Sequence, residues 1–165
     1  MILLDTNVIS EPMRPKPDRN VLVWLDAQAA ETLYLSTVSL AELLLGIESL
    51  PAGKRRKALA GALHEQVIAL FGERIVPFDL GAAETYAKIV MRARRHGHPI
   101  AVAHAQIAAI AASRQFTVAT RDREPFEAAG VPVINPWTAT AGDESSLWQA
   151  IPGQNEGLRR HADVF

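Results

Sequence analysis

The sequence contains no cysteine. That excludes a disulfide framework and any thiolate metal site, and it suits a reducing compartment. Also missing is any apolar run near the ~20 residues that span a bilayer. The first residues lack the basic region and long apolar core of a secretory signal. The expectation is a soluble, cytoplasmic protein with no membrane segment. A strong net charge is absent too, the formal value being -1. This does not exclude an anionic partner, because Lys54-Arg55-Arg56-Lys57 and the run holding Arg92, Arg94 and Arg95 concentrate positive charge locally. Such runs are most often solvated helix faces.

What is present is a chain of 165 residues, 48% hydrophobic and 21% charged. That is enough for one sizeable core and too little for two ordinary domains. The composition turns polar after Asn135-Pro136-Trp137, so residues 1–137 read as the domain and residues 138–165 as a polar tail outside the core. Trp24, Phe126 and Trp137 read as core or interface residues.

The first residues organise the rest. Met1-Ile2-Leu3-Leu4 reads as a buried strand that stops on Asp5. An aspartate at the carboxyl end of a buried strand sits where open α/β sheets place their ligand crevice. Its charge must be matched by solvent, a cation or a phosphate-bearing ligand. Alternatively Asp5 caps the next helix, with Thr6 and Asn7 as turn formers.

Downstream, strands and helices alternate. Helices are predicted near residues 18–30, 40–47, 51–70, 80–95 and 99–113, with a short one closed by Gly130. Strands are predicted near 32–36, 75–78, 116–120 and 131–134, the last an edge strand because of Pro132. The alternation predicts an α/β fold with a mostly parallel sheet and helices on both faces. Pro51 is read as the start of its helix and Asp79 as a cap. Glu42 falls in the first turns of a helix among Leu40, Leu43, Leu44, Leu45 and Ile47, so it is expected to be partly enclosed. Helix-terminus electrostatics would also account for it.

Asp5 and Asp122 each follow an apolar strand, and Glu42 enters just after a third. If those strands are neighbours, three carboxylates converge on one crevice, and their repulsion requires a cation. A hard divalent ion such as Mg²⁺ or Mn²⁺ suits carboxylate oxygens and an open site.

Five segments carry a family resemblance. They are Leu4-Asp5-Thr6-Asn7-Val8-Ile9-Ser10-Glu11, Ser39-Leu40-Ala41-Glu42-Leu43-Leu44-Leu45-Gly46, the alanine-rich stretch from Pro99 through His104 to Ala111, Thr120-Arg121-Asp122, and Val133-Ile134-Asn135-Pro136-Trp137. Together, in this order, they resemble PIN-domain ribonuclease toxins, most closely the VapC and FitB branch of toxin–antitoxin systems. The resemblance implies a compact three-layer α/β/α fold, usually dimeric. It further implies a metal-dependent endoribonuclease that cleaves RNA with metal-activated water and is held inactive by an antitoxin, which also mediates contact with operator DNA. The metal ligands carry over onto Asp5, Glu42 and Asp122, with Thr6 and Thr120 as supporting hydroxyls. Arg92, Arg94 and Arg95 are candidate RNA-backbone contacts. The antitoxin is expected over the groove between the helix of Glu42 and residues 51–63.

The departure is His104, where the family carries an aspartate. Imidazole removes a negative charge and supplies a nitrogen ligand, which suits Zn²⁺ or Mn²⁺ better than Mg²⁺. The sequence is therefore expected to keep the toxin fold with impaired or metal-shifted activity. A hydrogen-bonded, inert histidine is the plainer alternative. Two rival classes remain: a phosphohydrolase with an aspartyl nucleophile, which lacks its usual second aspartate because position 7 is Asn7, and an inactive partner that only captures antitoxin.

Overall fold

In the computed structural model, residues 1–97 and 99–139 are described. The predicted tail therefore falls almost wholly outside the described residues. Five strands, β1 (Ile2–Leu4), β2 (Leu33–Ser36), β3 (Ile75–Val76), β4 (Thr117–Ala119) and β5 (Val133–Ile134), form one sheet in the order β3-β2-β1-β4-β5. Every pairing is parallel, and Leu3 sits opposite both Tyr34 and Val118. The first strand is thus the central one.

Side chains along β1 alternate between two cores, as a pleated strand requires. Ile2 and Leu4 join Val8, Val21, Trp24, Leu35, Ile47, Leu63 and Phe71 on one face. Leu3 joins Val118, Ile89, Ile107, Ile110 and Phe126 on the other. A strand buried on both sides must be apolar at every position, which is why Ile2-Leu3-Leu4 reads as an unbroken run.

The helices are α1 (Thr6–Ser10), α2 (Arg19–Ala27), α3 (Thr37–Glu48), α4 (Lys54–Ala62), α5 (Ala69–Phe71), α6 (Leu80–Arg95), α7 (Val102–Arg114) and α8 (Glu124–Ala128). Asp79 caps α6 as predicted, its carboxylate accepting from Ala82 N at 3.0 Å. The alanines of α7 at 105, 108, 109 and 111 are fully buried. Small side chains let that helix lie close against the sheet and against α6. None of the described helices is long and apolar enough to cross a membrane.

Several boundaries differ from expectation; α7 starts at Val102 and not at Pro99, and α2 ends at Ala27 and not at Ala30. Pro51 does not open its helix, because α4 starts at Lys54 after Gly53. That helix reaches α5 through a π turn at Leu63–Ile68, which rotates Leu63 and Val67 into the core. Finally, α3 begins at Thr37, three residues early, because Ser36 Oγ accepts from Ser39 N at 2.8 Å and so caps it.

Candidate active site

The carboxyl ends of β1, β2 and β4 lie side by side, and each continues into a residue of the predicted site. Asp5 follows β1 directly. Its backbone N–H donates to Ala119 O at 3.0 Å, so it is the last residue tied to the strand ladder. Its side chain then caps α1, Oδ1 accepting from Thr6 N at 2.8 Å. Oδ2 accepts from Asn7 Nδ2 at 2.8 Å and from Thr120 Oγ1 at 2.7 Å. Asp5 is only 2% exposed. The cap and the buried acid are therefore one and the same residue.

Thr120 follows β4 and is fully buried. Besides donating to Asp5, its hydroxyl accepts from Asn7 Nδ2 at 2.9 Å and from Asp122 N at 3.0 Å. Glu42 lies half-buried on α3, reached from β2, and its Oε2 accepts from Thr6 Oγ1 at 2.5 Å. Both threonines anticipated as supporting groups thus touch a carboxylate of the site. His104, in the first turn of α7, places Nε2 3.8 Å from Asp122 Oδ2 and packs its ring 5.4 Å from that of Phe126. Asp122 itself is largely open, with its side chain 57% exposed.

Asn7 is the residue that sequence reasoning undervalued. Its amide nitrogen bridges Asp5 and Thr120, and its Oδ1 accepts from Arg121 N at 3.4 Å. Thr120 is 113 positions away in the chain, so no local spacing signals the bridge. The basic residues behave differently. Arg92, Arg94 and Arg95 occupy the last turn of α6, and none of the hydrogen bonds or ion pairs of the described residues ties them to the acidic group. In the other basic run, Arg56 pairs with Glu48.

Burial pushes the Asp5 carboxyl above its ordinary range, and the nearby Glu42 charge adds to the rise. The Thr120 and Thr6 hydrogen bonds and the proximity of His104 pull the other way, but burial prevails. A carboxylate enclosed beside another is one whose ionisation a cation would favour. The donor set, three carboxylates and an imidazole on one rim, fits a hard or borderline divalent ion in chemistry. It is not gathered into a ready cage, since among the described residues no three Asp, Glu or His side chains stand close enough together to hold a metal. Asp5 and Glu42 are instead engaged by hydroxyl, amide and backbone donors.

Comparison with known proteins sets this arrangement in context. The PIN domain family model matches residues 2–131. The plasmid stability protein StbB of Pseudomonas syringae pv. tomato is 52% identical over 139 residues, covering 84% of this chain and all of that protein. The VapC ribonuclease Y4jK of Sinorhizobium fredii is 50% identical over 137 residues, covering 83% of this chain and 98% of that protein. The crystal structure of FitAcB from Neisseria gonorrhoeae contains a chain 49% identical to this one, which superposes with a TM-score of 0.82 over 84% of this chain and 100% of that one. The structure of FitAB bound to an IR36 DNA fragment also matches, with a TM-score of 0.82, 46% identity, and coverage of 86% of this chain and 99% of that one.

Proposed function

The chain belongs to the PIN-domain family, and on that premise we propose that it is the ribonuclease toxin of a toxin–antitoxin pair, cleaving RNA phosphodiesters at the rim built around Asp5. One observation carries the reading. A buried, hydrogen-bonded carboxylate ends the central strand, and the two flanking strands lead to Glu42 and to Thr120 and Asp122 beside it. Asp5, Glu42 and Asp122 are the residues that would hold Mg²⁺ or Mn²⁺, and such an ion supplies Lewis-acid stabilisation of charge on the scissile phosphate.

The chain's own residues divide the remaining work. Thr120, Asn7 and the Thr6 N–H aim the Asp5 carboxylate, and the Thr120 and Thr6 bonds oppose its protonation. Thr6 holds Glu42 toward the same rim. His104 faces Asp122, at the position where the family resemblance implies an acid. Its imidazole gives up one negative charge, weakens the hold on Mg²⁺ and favours Mn²⁺. The same substitution supports a second reading, an inactive PIN-fold partner that retains only antitoxin capture.

The antitoxin would dock on α3 near α4, where Leu44 and Leu45 are 41% and 67% exposed. Contact with operator DNA would run through that antitoxin, and the toxin itself would be a homodimer. Cleavage of a mixed structured RNA by the chain and by His104→Asp, with Mg²⁺, Mn²⁺ or chelator, tests the nuclease reading. Cleavage by the chain in Mn²⁺, with His104→Asp gaining most in Mg²⁺, is the expected result. Silence from both, together with tight antitoxin capture, would favour the inactive partner.

A further inference from the structure

Arg121 stands between Thr120 and Asp122, at the open edge of the acidic rim. Its guanidinium carbon lies 4.5 Å from the centroid of the Trp137 ring. That ring packs against the core, and the backbone that carries it is tied down. Trp137 N donates to Asn135 Oδ1 at 3.0 Å, and Trp137 O accepts from Asn20 Nδ2 at 3.1 Å. The backbone of Arg121 is tied as well, its N–H donating to Asn7 Oδ1. The backbone of Arg121 is therefore held by Asn7 and its guanidinium lies against Trp137.

The head of Arg121 is uncommitted. Arg14, Arg56, Arg114 and Arg123 pair with Glu11, Glu48, Asp79 and Glu127. Arg74 donates to the carbonyls of Ala30, Leu33 and Leu70. Among the described residues Arg121 forms no ion pair and donates no side-chain hydrogen bond, as is also true of Arg19, Arg55, Arg92, Arg94 and Arg95, but of these six it alone stacks on an aromatic ring. Stacking occupies one face of a guanidinium and leaves its N–H edge free. A planar fork with free donors, stripped of water on one face, matches phosphate oxygens. Its position also meets an electrostatic need, because a rim of three carboxylates repels a polyanion unless a cation stands beside it.

We propose that Arg121, held on Trp137, binds a backbone phosphate of single-stranded RNA next to the bond that is cleaved. The inference rests on the nuclease reading above and adds a substrate contact to it. Arg121 positions the strand, and the acidic residues remain the reacting site.

The test is binding of a labelled single-stranded RNA oligonucleotide to the full chain in chelator, by fluorescence anisotropy over a range of salt, with cleavage measured in parallel. Arg121→Ala is expected to weaken binding about tenfold and to reduce the salt slope by about 0.7, the value for one phosphate contact on a single strand. It should raise KM while leaving kcat nearly unchanged, and Arg121→Lys should restore the slope. Trp137→Leu, shown folded by its melting curve, should weaken binding at an unchanged slope. Affinity and slope equal to the parent's in Arg121→Ala would overturn the inference and leave the nuclease reading standing. A fall in kcat at unchanged affinity would overturn it too. Failure of the parent chain to bind or cleave any RNA would overturn both.

Discussion

Thr120 donates its hydroxyl hydrogen to Asp5 Oδ2 at 2.7 Å, joining the ends of the two neighbouring strands β4 and β1 through side chains. Thr120 Oγ1 in turn accepts from Asn7 Nδ2 and from the Asp122 N–H. A hydroxyl offers one donor and two acceptor sites, and here all three are used. The depth of Asp5, its aim and the start of the Asp122 turn all depend on that one oxygen.

Replacing Thr120 with valine keeps the shape and removes every one of these bonds. It leaves a buried carboxylate oxygen one donor short and two N–H groups without this acceptor. Thr120→Val is expected to lower unfolding free energy by about 1–3 kcal/mol and to push the Asp5 carboxyl further up. Thr120→Ser should recover most of the loss. Urea unfolding of the three proteins checks this, and equal midpoints would contradict it.

Among the described residues two carboxyls are shifted, and they act on stability with opposite signs. Asp5 is raised in the folded state, mainly by burial, so the stability tied to it is fully present below the ordinary carboxylate value and is lost as pH rises through the raised one. Asp79 is lowered, first by its bond from Ala82 N and then by Arg114. Its contribution is present above the ordinary value and is lost as pH falls through the lowered one. Unfolding in chelator between about pH 4 and about pH 7 should therefore show the parent losing stability, relative to Asp5→Asn, as pH rises. Parallel profiles would contradict the assignment to Asp5.

The shorter side chain introduced by His104→Asp would set a carboxylate facing Asp122 from farther away than the 3.8 Å that now separates His104 Nε2 from Asp122 Oδ2. Like charges in a half-open site cost modestly, so Tm without metal is expected to fall by up to about 4 °C. Added Mg²⁺ should raise the Tm of this variant more than that of the parent. An equal Mg²⁺ response in both would mean that His104 does not weaken Mg²⁺ binding.

Much of the fold was legible because its signals are local. The unbroken apolar run of Ile2-Leu3-Leu4 reports a strand buried on both faces, and the position of Asp5 after it marks the ligand edge. Pro132 pointed to an edge strand, and β5 is one. What stayed hidden depends on which distant segments become neighbours. Asn7 looked like a turn former because its partner Thr120 lies on another strand. Trp137 read as core or interface, and it does pack against the core, but one face of its ring carries Arg121. That the acids and His104 are not gathered closely enough to form a ready metal cage was likewise invisible, since strand order alone does not fix where side chains point.

Leu3 offers a direct check on the packing account. It is fully buried at the centre of the sheet, whereas Val23 on α2 is 51% exposed. Leu3→Ala should cost about 2–5 kcal/mol, and Val23→Ala less than about 0.5 kcal/mol. Similar losses from the two would contradict the assignment of β1 as the central strand.

The most direct test of the central claim, that this rim cleaves RNA through Asp5, is digestion of a mixed structured RNA in Mn²⁺ by the parent chain and by Asp5→Asn, purified identically and each repeated in chelator. The prediction is fragments from the parent alone, abolished by chelator. Equal cleavage by Asp5→Asn, or an intact RNA with the folded parent, would contradict it.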